Sequence, residues 1–324
     1  MKTMNWAIIG CGDVTEVKSG PAFNKVPGSK LVSVMRRDAG RAESYAERHG
    51  VGRWTTDANE IFESDDIDAV YIATHPNTHA EYTMRAAAAG KAVYVEKPMA
   101  VNPSECREMI EACSRAGVPL WTAYYRRALP RFEQVRTLIA EGAIGTVRAV
   151  NSIRFQGYRE GSWQNQPGLS GGGWFFDSAC HTLDWLDFVF GPLQDVQGRA
   201  TSSSKSANED TVVATFQFPG GVLGSGTWCY DSQFDEDRMT IVGVEGSLVI
   251  SLSAPLPIEL RRGNHVELLD AEDPQTVHQP LVQTIMDEWN GVGSCPSTGE
   301  SALRTAKVLE TLLSDVRPVS SRRE

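Results

Sequence analysis

The chain has 324 residues and a formal net charge of −10. That gives room for two domains with cores of their own, and it has the wrong sign for a nucleic-acid binder, whose phosphate partners need a positive face. No apolar run approaches the ~20 residues that span a bilayer. MKTMNWAIIG lacks the apolar core and cleavage site of a signal peptide, and Cys11, Cys106, Cys113, Cys180, Cys229 and Cys295 form no CxxC or dense framework, so a cytoplasmic protein with reduced thiols is expected.

A strand over Asn5–Ile9 runs into Gly10-Cys11-Gly12-Asp13-Val14-Thr15. This is a dinucleotide-type G-x-G turn whose third glycine is replaced by Thr15, which predicts somewhat looser helix–strand packing. Taken alone it is an ordinary glycine-rich turn; its place between a strand and a helix gives it weight. The next strand, Leu31–Met35, ends in Arg36-Arg37, where this kind of fold usually supplies an acid to a ribose hydroxyl. Two arginines after an edge strand can simply be solvated, but a guanidinium there also suits a 2′-phosphate, and on that reading NADP(H) is expected over NAD(H).

Asp38 and Gly50 bracket a helix over Ala39–His49, and Asp57-x-x-Glu60 reads as a capping-box-like start. A buried-type strand, Ala69–Ala73, leads into Thr74-His75-Pro76-Asn77, and a helix from His79 closes at Gly90. Ala92–Val95 then delivers Glu96-Lys97-Pro98, which puts an amine at the carboxyl end of a buried strand, where ligands bind in open α/β sheets. Asn102-Pro103 opens a helix to Gly117, and Pro119–Ala123 is a last strand. The alternation predicts a doubly wound parallel sheet over residues 1–123.

From residue 124 the rhythm changes. A helix over Leu129–Glu141 precedes a strand, Val147–Phe155. Hairpins are expected at Pro219-Gly220-Gly221 and at Gly243–Gly246, and a helix over Glu300–Ser314. Residues 124–324 are therefore expected to form an α+β domain with a large, mostly antiparallel open sheet, whose outer face a second copy would cover as a homodimer or homotetramer. After Gly171-Gly172-Gly173, helical spacing puts Asp177, His181 and Asp184 on one face, and Phe176, Ala179, Leu183, Leu186 and Phe190 roughly opposite. Taken alone, Asp-x-x-x-His reads as a solvated pair on a surface helix. His49, His265 and His278 have no evident partner and are read as surface or structural residues. The short Thr201–Ser206 run is the one low-complexity stretch, and no His/Cys/carboxylate set has zinc-like spacing.

Taken together, the Gly10-x-Gly12 turn, the Pro76–His79 loop, Ala89-Gly90-Lys91 with Glu96-Lys97-Pro98, Arg126-Arg127 with Pro130, and the glycine run with Asp177 and His181 resemble the glucose–fructose oxidoreductase, inositol dehydrogenase and rhizopine-catabolism (Gfo/Idh/MocA) family over nearly the whole chain. The resemblance implies a pyridine-nucleotide oxidoreductase acting on a sugar, polyol or related hydroxy compound. It implies catalytic roles for Lys97, His181 and Asp177. Cofactor contacts are expected from Gly10, Gly12, Asp13, Val14, Arg36, Arg37, Thr74, His75, Pro76, Asn77, Glu96, Lys97 and Arg127. Substrate contacts are expected from Lys97, Arg126, Tyr158, Trp163, Asp177 and His181, with no metal. The chain departs from the family pattern at Thr15, Arg36, Tyr125 and Ala179. The residue types agree with the chemistry: a histidine near neutrality can take the alcohol proton, and an ammonium can stabilise the alkoxide. A catalytically silent nucleotide-binding regulator, or a hydrolase using tightly held NAD, are the alternatives.

Overall fold

The computed structural model describes residues 2–203 and 205–316. Residue 1, Ser204 of the serine-rich run and the last eight residues of the expected second domain lie outside them. Two compact units emerge: residues through Leu129 together with Pro274–Leu303, and Pro130–Asp273 together with the chain from Arg304.

In the first unit the strands are β1 (Met4–Ile9), β2 (Ser29–Met35), β3 (Arg53–Thr55), β4 (Ala69–Ile72), β5 (Ala92–Val95) and β6 (Leu120–Thr122). They form a six-stranded sheet in the order β3-β2-β1-β4-β5-β6, with every pairing parallel. The central strands AVYI and AVYV are buried throughout, as a parallel sheet covered on both faces requires. Interleaved are α1 (Asp13–Val17), α2 (Ala22–Lys25), α3 (Ala39–His49), α4 (Ala58–Phe62), α5 (His79–Ala88) and α6 (Pro103–Ala116).

The stop and start signals act as expected. Asp38 accepts from Arg41 N at 3.0 Å and Asn102 from Glu105 N at 2.9 Å, while Gly50 and Gly117 adopt the left-handed conformation that ends α3 and α6. Asp57 caps α4 through Asn59 N, but Glu60 takes the Thr55 hydroxyl at 2.7 Å. Thr15 does not loosen the packing. It is fully buried, its hydroxyl donates to Gly12 O at 2.7 Å, and its own carbonyl accepts from Tyr45 at 2.9 Å. The close approach has moved to Gly20, where a Cβ would lie 2.2 Å from Thr15 O.

The second unit opens with α7 (Pro130–Ala140) and β7 (Val147–Phe155), followed by α8 (Pro167–Ser170) and α9 (Trp174–Phe190). Next come β8 (Gln194–Thr201), β9 (Thr211–Gln217), β10 (Leu223–Cys229), β11 (Glu236–Gly243), β12 (Ser247–Ile250), β13 (Ile258–Arg262) and β14 (His265–Leu269). The sheet order is β14-β13-β12-β11-β7-β10-β9-β8, antiparallel except for the β7–β10 pair. Burial alternates along β9 and β10, so one face carries the core and the other stays open.

The chain then returns to the first unit with α10 (Gln279–Trp289), before α11 (Gly299–Leu313). Leu281, Val282, Ile285 and Met286 of α10 join the core of Trp6, Phe23, Tyr71 and Tyr94. The expected cut at 123/124 differs from these units, because the apolar face of α10 is buried against the strand residues Trp6, Tyr71 and Tyr94, which lie from 187 to 280 residues earlier in the chain.

Candidate active site

The sheet order reverses between β1 and β4, and the loops leaving these two strands are where an α/β sheet binds its ligand. Gly10 has φ +92°, and a Cβ there would stand 2.7 Å from Thr74 Cγ2 and 2.9 Å from Thr74 N. The two loops therefore touch, and the first glycine is required by the fold. Gly12 differs. Its backbone is extended, and among the described residues a Cβ would meet nothing nearer than Gly10 O at 3.8 Å. The fold itself therefore does not require this position to be bare. Among the described residues the N–H groups of Gly12, Asp13 and Val14, at the start of α1, have no protein acceptor.

Arg36 follows β2, and its Nη1 donates to Cys11 O at 2.9 Å, so the guanidinium lies against the glycine turn. Arg37 is exposed. Burial, then the nearby Arg37 charge, lowers the pKa of His75. Pro76 and Asn77 form a short turn that the Thr78 hydroxyl ties to Thr74 Oγ1 at 2.8 Å. His79 starts α5 and braces this loop: Nε2 lies 3.1 Å from Thr74 O and Nδ1 3.0 Å from Pro98 O. Burial pulls its pKa down to about 4.

Glu96 and Lys97 leave β5 at the same end of the sheet. The Glu96 carboxylate accepts from the Tyr71 hydroxyl and from Lys97 N at 3.1 Å. Arg126 and Arg127 follow β6, both buried, and Arg127 Nη1 donates to Pro296 O at 3.0 Å.

Asp177 and His181 belong to the second unit, one turn apart on α9. The helix is not a surface helix: Phe175, Cys180, Leu183 and Trp185 are fully buried, and His181 and Asp184 nearly so. A helix buried around most of its circumference excludes the reading of a solvated Asp–His pair. Gln164 Nε2 donates to Asp177 Oδ2 at 3.2 Å, a contact between residues that no local motif links. Tyr158 donates its hydroxyl to Lys205 O at 2.8 Å, and Trp163 sits in the short turn that carries Gln164. Trp174 stacks with Tyr230, their ring centroids 6.4 Å apart, and Arg159 lies over the indole.

Two further histidines have partners that spacing does not reveal. His49 Nε2 lies 2.8 Å from Glu16. His278 is wholly buried, with Nδ1 2.9 Å from the Tyr94 hydroxyl. His265 is exposed. Among the described residues no three His, Cys, Asp or Glu side chains are grouped as a metal ion would need, and no helix is long and apolar enough to cross a membrane.

A doubly wound sheet with an open glycine turn at its switch point defines a class of dinucleotide-binding folds. Residues 4–124 match GFO_IDH_MocA, "Oxidoreductase family, NAD-binding Rossmann fold", and residues 132–249 match "GFO/IDH/MocA C-terminal domain". The chain belongs to this family and is a dehydrogenase or reductase acting on CH–OH groups. It is similar to "Oxidoreductase P35" of Formosa agariphila, 36% identical over 314 residues that cover 95% of this chain and 97% of the relative. It is also similar to "1,5-anhydro-D-fructose reductase" of Ensifer adhaerens, 30% identical over 310 residues and covering 92% of each chain. Among solved structures, levoglucosan dehydrogenase in complex with NADH and levoglucosan shares the fold, with a TM-score of 0.87 at 20% identity over 97% of each chain.

Proposed function

We propose that the chain carries hydride between nicotinamide C4 and a carbinol or carbonyl carbon of a sugar, polyol or related hydroxy compound, with NADP(H) preferred over NAD(H). The observation that carries the reading is Gly12, a glycine that the fold itself does not require, at the turn where a pyrophosphate would rest. Relatives named for a sugar-derived reductase and a levoglucosan dehydrogenase support the substrate class. The first unit would hold the nucleotide through Gly10, Gly12, Asp13, Val14, the 74–77 loop, Glu96 and Arg127, with Arg36 and Arg37 at the 2′-phosphate. The bound nicotinamide supplies the hydride acceptor or donor.

The remaining work falls to side chains. Lys97 would hold the substrate oxygen with its ammonium and stabilise the alkoxide. His181 would take the hydroxyl proton as hydride leaves carbon, and return it in reduction. Asp177, steadied by Gln164, would orient that histidine. Arg126, Tyr158 and Trp163 would line the substrate. The second unit would also carry the oligomer contact: Leu223 and Val242 share the open sheet face, both in register with Ala149, and both are exposed, which fits a second copy of this chain. The test is nicotinamide absorbance with 1,5-anhydro-D-fructose plus NADPH or NADH, and levoglucosan plus NADP+ or NAD+. Turnover that is faster with the phosphorylated cofactor is expected; faster turnover with NADH would contradict the preference, and tight NADPH binding without oxidation or reduction across a sugar and polyol panel would contradict the enzyme reading.

A further inference from the structure

Beside Lys97 lies a buried polar cluster whose two tyrosines and histidine the proposed chemistry leaves unused. Tyr71, Tyr94 and His278 are wholly buried, and Glu96 nearly so. One oxygen of Glu96 takes the Tyr71 hydroxyl and the other the Lys97 backbone N–H. His278 caps α10, its backbone N–H donating to Lys18 O at 3.0 Å. The ring packs on Tyr125, centroids 4.9 Å apart, and holds the Tyr94 hydroxyl at Nδ1. The other ring nitrogen, Nε2, faces Glu96 Oε1 at 3.6 Å and among the described residues has no hydrogen-bond partner.

Burial, then the charges of Lys18 and Lys97, pulls the pKa of His278 down to about 3, so the ring is neutral and carries one N–H. With the proton on Nδ1, the Nε2 lone pair would face a carboxylate in dry surroundings. With the proton on Nε2, the N–H faces the carboxylate and Nδ1 accepts from Tyr94. Electrostatics at low dielectric selects the second. At 3.6 Å the pair stands just beyond hydrogen-bond length, and leaving a buried N–H unmade is costly, so a small shift that closes the gap is downhill.

We propose that His278 is a positioning residue for Lys97: its Nε2–H closes on Glu96 and, with Tyr71, fixes the carboxylate that holds the Lys97 backbone. This rests on the reading that Lys97 acts on the substrate oxygen. Mispositioning an acting group by about an ångström can cost on the order of a hundredfold in rate.

The test uses the full chain with NADPH and whichever sugar probe turns over. His278→Gln keeps a donor near the Nε2 position; His278→Asn keeps a polar group near Nδ1 and abandons Glu96. Asn should lower kcat about tenfold or more with NADPH Kd within about threefold, and Gln should restore kcat to within about threefold. Equal loss in both variants, or an Asn variant as fast as the parent, overturns the proposal. In a Lys97→Met background His278→Asn should cause no further loss; a further drop overturns action through Lys97. A Lys97→Met variant that turns over normally sinks the underlying reading instead, whatever His278 does. Imidazole nitrogen NMR of the unmodified protein gives an arm independent of turnover: Nε2–H is expected, and Nδ1–H overturns the proposal.

Discussion

The two glycines of the nucleotide turn behave differently, and the difference can be measured. Gly10→Ala places a Cβ against Thr74 at a left-handed φ, and should destabilise the protein by about 2 kcal/mol or more in a thermal or denaturant melt. Gly12→Ala meets no such obstacle, so stability should stay within about 0.5 kcal/mol while NADPH affinity falls about tenfold or more, because the methyl occupies the space left for the pyrophosphate. Unchanged affinity in Gly12→Ala would remove the turn from the binding site. Replacing Arg36 and Arg37 with alanine should weaken NADPH more than NADH in side-by-side fluorescence titrations, and an equal loss would contradict the 2′-phosphate assignment. At this scale the sequence showed the glycines, the arginine pair and the Glu96–Lys97 step, because each belongs to a short local pattern. It did not show Gln164 meeting Asp177 or His278 meeting Tyr94. Those contacts join residues whose neighbours in sequence say nothing of their neighbours in space.

Among the elements, the ones with local punctuation were legible. Asp38 and Gly50, or Asn102 and Gly117, mark their helices whatever the rest of the chain does. The strands β8 and β14 were not foreseen: QDVQGRAT and HVELL lie at the two edges of their sheet, are largely exposed, and carry little of the alternation that burial imposes. The histidines at the starts of α5 and α10 give the first unit a pH signature. The pKa of each is pulled below the ordinary value of 6.5, to about 4 for His79 and about 3 for His278, chiefly by burial. Below 6.5 the unfolded chain takes up protons that the folded chain refuses, so acidification favours unfolding. The stabilisation present above that value is lost as pH falls toward the folded values, at up to about 1.4 kcal/mol per pH unit for each histidine. Chemical denaturation from about pH 7 to about pH 5 should show this fall, and His79→Gln should reduce its slope by one proton's share. A slope unchanged by that substitution would mean His79 is protonated in the fold.

For the whole molecule, the two units share out the chain in a way no single cut describes, since Pro274–Leu303 belongs with the first unit. The open face of the second sheet is where the proposed oligomer contact can be tested. Leu223 is 61% exposed and Val242 41%, and Leu223→Glu should shift the mass in solution toward the 35.5 kDa of one chain. A parent protein already at that mass would contradict the contact. Whether this oxidoreductase works through Lys97 is decided most directly by NADPH binding and turnover of Lys97→Met measured on the same preparation. Binding within about threefold of the parent, with kcat reduced by about a thousandfold, is the result expected for an ammonium that stabilises the alkoxide. Turnover at the parent rate would contradict it.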